Sequence, residues 1–153
     1  VEQSNMPAKQ LILELTESCK VSDPNGLQDD FEYFKNMGIN MALDDFGTEY
    51  SSIALLRKLK PQWIKIDHTF VRSIQDDEMD QAILEYIMNL SKQTSIKVCV
   101  EGVENAEILS VVQTYAPELL QGYYYSKPCP ADEFTRKYFA GNNKKSSDVC
   151  QEK

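Results

Sequence analysis

Acidic side chains recur in this sequence at the ends of short apolar runs. Glu14, Asp44, Asp45 and Glu101 each stand at or just beyond the end of a short apolar run, and Lys65 lies in another such run. Any one of these acids alone would be more simply a solvated or helix-capping residue. Four carboxylates at one place repel one another unless a cation neutralises them, and Mg²⁺ and Mn²⁺ prefer carboxylate oxygen. The recurrence therefore predicts a site for divalent metal ions.

The adjacent pair Asp44-Asp45 is the sharpest part of this pattern. In a regular strand, neighbouring side chains point to opposite faces, but a turn at the end of the strand would let both carboxylates reach the same site. Two metal ions about 3.5–4 Å apart clamp a phosphodiester and activate water for in-line attack. Lys65 could hold that water or offset the phosphate charge, and its simpler alternative is a structural ion pair. Phosphodiester hydrolysis is the chemistry that these groups suit best, and their spacing does not name the substrate.

The elements that carry these residues alternate between strands and helices. Amphipathic helices separate the predicted strands, and in the longest helix Met79, Ile83, Ile87 and Leu90 form the predicted buried face. This alternation is typical of an α/β fold with a parallel sheet, whose C-terminal edge would gather the polar residues, Gln121 among them. Both a (β/α) barrel and an open doubly wound sheet bind ligands there, so position does not choose between them. Strands are predicted near 11–17, 39–43, 63–66, 96–100 and 119–122.

Composition narrows the function classes. The 153 residues include 24 acidic and 16 basic side chains, a formal charge of -8, which disfavours binding to polymeric nucleic acid or anionic lipid. No apolar run approaches the roughly 20 residues of a membrane span, and no Gly-x-Gly-x-x-Gly or Walker loop is present. Four scattered cysteines and one histidine do not make a zinc site. They predict free thiols and a cytoplasmic location.

Five short motifs stand in order across about residues 11–130. They are Glu14-Leu15-Thr16-Glu17-Ser18, Asp44-Asp45-Phe46-Gly47-Thr48 with Tyr50-Ser51-Ser52, Lys65-Ile66-Asp67, Glu101-Gly102-Val103-Glu104, and Gln121-Gly122-Tyr123 with Ser126-Lys127-Pro128. In their order and separations these motifs resemble those of the EAL domain, the bacterial cyclic-di-GMP phosphodiesterase domain. The resemblance implies a TIM-type (β/α) barrel that hydrolyses cyclic di-GMP to linear pGpG with two Mg²⁺ or Mn²⁺ ions.

The same resemblance implies a role for each matching residue. Glu14 and Asp44 would be metal ligands, with Asp45 holding the second metal. Lys65 would orient the attacking water, and Glu101 would be a metal-site carboxylate that serves as general base or binds the water. The supporting residues would be Glu17, which anchors the Asp-Phe-Gly loop, Glu104 beside the metal cluster and Gln121 at the mouth of the barrel. No substrate-binding residue is assigned. The loop 44–52 is the one that the family uses to couple dimerisation to activity, so a homodimer is expected.

Two departures from the family pattern matter. Glu49 stands where the family usually has glycine, so it either stiffens the loop and adds charge beside the metals or points into solvent without effect. The Glu-Ala-Leu motif and an early Asn ligand are absent and would lie upstream of Val1. Because a complete barrel takes about 250 residues, we expect residues 1–140 to be the C-terminal part of one EAL-type barrel domain, incomplete at about five strands. A polar tail would follow over residues 141–153.

Three functions remain open at this point. The parent protein would be a phosphodiesterase, with the isolated chain inactive or feeble because upstream ligands are missing. Alternatively, the chain would be a module that binds cyclic di-GMP without cutting it, or one that dimerises and binds no ligand. The resemblance also allows GGDEF, sensory or membrane segments on the parent chain, and a membrane segment would tether the protein.

Overall fold

The computed structural model of the chain describes residues 6–16, 24–48 and 52–139. The predictions for Glu17, for Glu49 and for the tail 141–153 lie outside the described residues. Among the described helices, none combines the length and the apolar character that a bilayer crossing requires.

Five parallel strands form one sheet whose order follows the chain. The predicted parallel α/β architecture is therefore confirmed. Each predicted strand is present, although β1 and β5 are shorter than predicted and β2 runs three residues further, through the acidic pair. The strands are β1 (Ile12–Thr16), β2 (Asn40–Phe46), β3 (Trp63–Ile66), β4 (Lys97–Val100) and β5 (Leu119–Leu120).

Helices connect the strands, and capping side chains begin two of them. The Asp77 carboxylate accepts hydrogen bonds from the backbone N–H groups of Met79 and Asp80, and Asn105 accepts one from Ile108. The helices are α1 (Pro24–Asn36), α2 (Ser52–Leu59), α3 (Glu78–Thr94), α4 (Ala106–Val112) and α5 (Ala131–Tyr138), with 3₁₀ turns at Ala8–Gln10, His68–Phe70 and Gln113–Tyr115.

The buried face of α3 differs from the predicted one. Ile87 is buried and Ile83 and Leu90 pack against the core, but Met79 is 68% exposed, so the prediction is wrong for Met79. Met79 lies in the first turn, immediately after the Asp77 cap, and the stripe that reaches the sheet begins a turn later. The buried residues of α3 are Leu84, Ile87, Met88 and Ser91.

The core lies between the central strands and the helices. Ile64 and Ile66 on β3 and Val98 and Val100 on β4 are fully buried, as expected for parallel strands covered by helices. The strands β1 and β5 form the two edges of the described sheet. Lys65 on β3 and Glu101 directly after β4 therefore stand on strands whose apolar side chains are fully buried.

Candidate active site

The predicted catalytic residues converge at the C-terminal edge of the sheet. The ammonium of Lys65 on β3 lies 2.8 Å from Glu14 Oε2, 2.9 Å from Asp44 Oδ1 and 2.8 Å from Glu101 Oε1. Glu14 comes from the middle of β1, Asp44 from β2, and Glu101 directly follows β4. Four neighbouring strands thus contribute to one cluster of charges, as the sequence predicts, although Glu14 lies within β1 and not at its C-terminal end.

A bulge in β2 turns both aspartates toward this cluster. The pairing of β2 with β3 shifts register between Leu43 and Phe46, and Asp45 has a φ of 54°. The carboxylates of Asp44, Asp45 and Glu101 each offer an oxygen within 4.8 Å of the others. The expected cause, a turn after the strand end, is wrong, because the strand continues to Phe46 and a bulge within it redirects the side chains.

Lys65 is the counter-charge of the cluster. Its side chain is 10% exposed, while those of Asp44 and Glu101 are 15% and 17% exposed and that of Glu14 is 43% exposed. Burial alone would lower the pKa of Lys65, but its hydrogen bonds with Glu101, Glu14 and Asp44 together raise that pKa above the ordinary lysine value. The ammonium therefore stays charged and draws three carboxylates together.

Asp45 is the carboxylate that Lys65 leaves unpaired. In the described part of the chain Asp45 forms no salt bridge. Burial, the neighbouring Asp44 and Asp67 raise the pKa of Asp45, in that order of size. This acid is held where its own negative charge is unfavourable, which a further cation would relieve.

The donor set fits a divalent metal ion. Four carboxylates against one ammonium leave three formal negative charges uncompensated. Carboxylate oxygens are the ligands that Mg²⁺ and Mn²⁺ prefer, and Asp44, Asp45 and Glu101 already stand close enough to share an ion.

Asp67 lies near the cluster, where its charge helps to raise the pKa of Asp45, and we did not predict it as a site residue. It is 7% exposed, accepts a hydrogen bond from the Thr69 backbone N–H at 2.9 Å and lies 2.9 Å from His68 Nδ1. Burial alone would raise its pKa, but hydrogen bonds from the hydroxyl and backbone of Thr69 and from His68 lower it. Sequence reasoning missed Asp67 because β3 ends at Ile66, so the alternation of faces along a strand does not place this side chain.

Glu104 and Gln121 lie outside the group of mutually close carboxylates. Glu104 is exposed and lines a cavity of about 340 Å³ together with His68, Arg72 and Asn105. Gln121 is also exposed, and its backbone pairs with Val100 and Val103. Their supporting roles stay predictions, as does the anchoring role of Glu17.

A comparison with models of protein families identifies the family of this chain. The family model described as "EAL domain" matches residues 1–128. The chain belongs to the EAL domain family. Its sheet and helices are part of a TIM-type barrel, which confirms the predicted fold class.

Individual EAL proteins are similar over most of this chain. The cyclic di-GMP phosphodiesterase NbdA of Pseudomonas aeruginosa is 34% identical over 141 residues, which are 90% of this chain and 18% of NbdA. A solved structure of the PaMucR phosphodiesterase in complex with c-di-GMP has a TM-score of 0.78 at 32% identity, covering 87% of this chain and 54% of that one. The Klebsiella pneumoniae BlrP1 complex with manganese and cyclic di-GMP has a TM-score of 0.76 at 31% identity. The match covers 81% of this chain and 32% of the BlrP1 chain.

The EAL chain is thus shorter than the proteins that it matches. It spans less than a fifth of NbdA and about half of the MucR structure.

Proposed function

We propose that this chain carries part of the active site of a phosphodiesterase that hydrolyses cyclic di-GMP to linear pGpG. One observation carries the proposal. Lys65 lies within 2.9 Å of three carboxylates from three other strands or strand ends, beside Asp45, which forms no salt bridge among the described residues. That partly buried excess of negative charge resembles a site for metal ions more than a set of surface acids.

Asp44, Asp45 and Glu101 would hold two Mg²⁺ or Mn²⁺ ions, with Glu14 beside them. The ions would supply Lewis-acid stabilisation of the phosphodiester charge and a water of lowered pKa. The manganese complex of BlrP1 supports this choice of metal.

The chain's own groups would position and deprotonate the water. Glu101 is 17% exposed on its side chain and 2.8 Å from Lys65, so it is a carboxylate held in one place at the edge of the site. We assign Glu101 the role of general base, because a base must lie within hydrogen-bond reach of the proton that it removes. Lys65 would orient the same water and then offset charge that develops on the phosphate.

The substrate assignment rests on relatives. NbdA is named a cyclic di-GMP phosphodiesterase, and MucR and BlrP1 were solved with that nucleotide. MucR of Pseudomonas aeruginosa is also named a diguanylate cyclase, which supports a GGDEF segment on the parent chain, while sensory or membrane segments there stay predictions. We further propose that residues 1–140 form one part of an EAL domain, that residues 141–153 are a tail, and that the domain works as a cytoplasmic homodimer.

A second candidate is binding of cyclic di-GMP without turnover. The favouring observation is that Lys65 already pairs with three carboxylates, so the site can persist without metal ions. Nucleotide binding with no product would support this candidate.

The test compares two proteins in the same assay. Residues 1–153 alone, and a longer chain that extends them upstream with the N-terminal half of a related EAL domain, are incubated with cyclic di-GMP and Mn²⁺. Chromatography then detects pGpG. We expect product from the longer chain, little from residues 1–153, and none from either after EDTA.

Matched substitutions locate the chemistry within the longer chain. Glu101→Gln should lower the rate by more than about 100-fold, in line with the loss of a general base. Glu107→Gln removes an exposed acid from the first turn of α4 and should leave the rate unchanged. A longer chain that neither binds nor hydrolyses the nucleotide would refute both candidates.

A further inference from the structure

The loop that carries Glu101 is pinned between two neighbouring segments by its backbone. After β4, the Glu101 N–H donates to the Ile66 carbonyl of β3 at 3.1 Å. Two residues later, the Val103 N–H donates to the Gln121 carbonyl at 3.1 Å, and the Val103 carbonyl accepts from the Tyr124 N–H at 3.0 Å. Val103 is fully buried. The loop is therefore bonded to β3 on one side and to the segment after β5 on the other.

Gly122 makes the contact with the segment after β5 possible. A Cβ atom at this position would lie 2.0 Å from the Val103 carbonyl oxygen and 2.4 Å from the Val103 nitrogen. These neighbours are backbone atoms, which cannot swing aside as a flexible side chain would. No positive φ is involved at Gly122, so the requirement for glycine comes from the close approach of two backbones.

Gly102 allows the close contact between the Glu101 loop and His68, on the β3 side of the loop. A Cβ there would lie 2.4 Å from His68 Cβ and 2.9 Å from His68 Cα, and Gly102 also has a φ of 73°. His68 directly follows Asp67, so this contact ties the Glu101 loop to the end of β3 that also carries Lys65.

We propose that Gly102 and Gly122 are positioning residues that fix the Glu101 carboxylate against Lys65 and the two aspartates. This proposal rests on the proposed metal-dependent function, since it concerns the geometry of that site. A side chain at either glycine would push the Glu101 loop away from one of its two supports. Because Glu101 directly precedes Gly102, such a shift would lengthen the 2.8 Å contact between Glu101 Oε1 and Lys65 Nζ.

The first test measures geometry without metal. In crystal structures of residues 1–153 prepared in EDTA, Gly122→Ala should lengthen the Lys65 Nζ–Glu101 Oε1 separation beyond 3.5 Å, while the contacts of Lys65 with Glu14 and Asp44 remain. Gly38→Ala is the matched control. Gly38 also has a positive φ, 80°, but its added Cβ would meet only Ala8 Cβ, at 3.8 Å. An unchanged Lys65–Glu101 contact in Gly122→Ala would overturn the proposal.

The second test measures Mn²⁺ affinity by calorimetry together with the melting temperature. We expect Gly122→Ala to bind Mn²⁺ at least tenfold more weakly than the unaltered chain. Gly38→Ala should melt at a lower temperature, but its Mn²⁺ affinity should stay within twofold of that of the unaltered chain. Affinity losses that merely follow the melting temperature in both variants would reduce the glycines to structural residues and overturn the proposal. If neither the unaltered residues 1–153 nor the longer chain described above binds Mn²⁺, the proposed function is contradicted, whereas the metal-free separation still decides the role of the glycines.

One further measurement applies if Gly122→Ala does not fold. In the unaltered chain, the Val103 and Tyr124 amides should exchange their hydrogens as slowly as amides of β4, because both take part in the backbone contact that Gly122 allows. Exchange as fast as that of an exposed loop would overturn the proposal.

Discussion

The central strands and the C-terminal region of this chain differ in how far their apolar side chains are buried. On β3 and β4, four apolar side chains are fully buried, and Lys65, which lies between two of them on β3, is buried as well. In the region 119–139, which comprises β5, the segment after it and α5, helix α5 has no buried residue. Phe134 is 46% exposed, Tyr138 44% and Phe139 61%.

The aromatic side chains of α5 mostly contact one another. The Phe134 ring lies 4.9 Å from that of Tyr138 and 5.7 Å from that of Phe139, measured between centroids. By contrast, the apolar side chains of β3 and β4 are part of one continuous core with the helices. The difference teaches that the candidate site stands on strands with fully buried side chains, whereas α5 contributes exposed apolar surface and no buried residue.

The largest effect should come from the core beneath the site. Ile64→Ala on β3 removes a fully buried side chain and should lower the free energy of unfolding by about 3–4 kcal/mol, through lost burial and a residual cavity. Leu119→Ala on β5 is the matched substitution in the C-terminal region, and because Leu119 is 47% exposed it should cost less than about 1 kcal/mol. Urea unfolding measures both. Equal losses would contradict the contrast between the two regions.

The next effect concerns the charge at the centre of the site. Lys65→Met keeps the length of the side chain but leaves three carboxylates facing one another, so we expect a loss of about 3 kcal/mol in unfolding free energy. Mn²⁺ at millimolar concentration should recover part of this loss, because an ion bound only by the folded chain stabilises it. Urea unfolding with and without EDTA tests this.

Lys92→Met, which removes an exposed lysine from α3, is the control for this experiment and should change stability by less than about 0.5 kcal/mol. A Lys65→Met variant that behaves like this control would show that the three short contacts of Lys65 contribute nothing to folding.

Much of this architecture was accessible from the sequence for a physical reason. Strands and helices differ in the period of their apolar residues, so β3, predicted at 63–66, is found at Trp63–Ile66. The site residues were found because the ends of parallel strands meet at one edge, whichever helices lie between them. The motifs then named the family, which composition and spacing could not do.

The parts that escaped prediction depend on contacts between distant segments. The bulge at Asp45 is a relation between β2 and β3, and periodicity within β2 carries no sign of it. The exposure of Met79 depends on where the first turn of α3 meets the sheet, and its apolar side chain gives no hint of that. The burial of Asp67 follows from hydrogen bonds with Thr69 and His68 that form only in the 3₁₀ turn.

A smaller effect, visible only in acid, should come from Asp67. Its pKa is lowered below 3.8 in the folded chain, so the folded state gains stability from the charged carboxylate above the unfolded pKa. That gain is lost as the pH falls from about 4 through the folded pKa. Asp67→Asn should therefore flatten the decline of unfolding free energy below about pH 4. Gln75→Ala, which removes no titrating group from an exposed position before α3, should leave the slope unchanged. Urea unfolding at several pH values measures the slope, and an equal slope in Asp67→Asn and the parent chain would contradict the prediction.

The smallest effect should come from α5. Phe134→Ala removes a ring that is nearly half exposed and contacts Tyr138 and Phe139 on the same helix or directly after it. Because about half of Phe134 remains exposed and it does not belong to the buried core, we expect a loss below about 1 kcal/mol in unfolding free energy at micromolar chain concentration. Phe31→Ala on α1 is the matched substitution in the core, where the ring is 2% exposed, and it should cost about 3–5 kcal/mol. If Phe134→Ala instead cost as much as Phe31→Ala, the ring would be covered in solution, and the contrast between the central strands and the C-terminal region would fail.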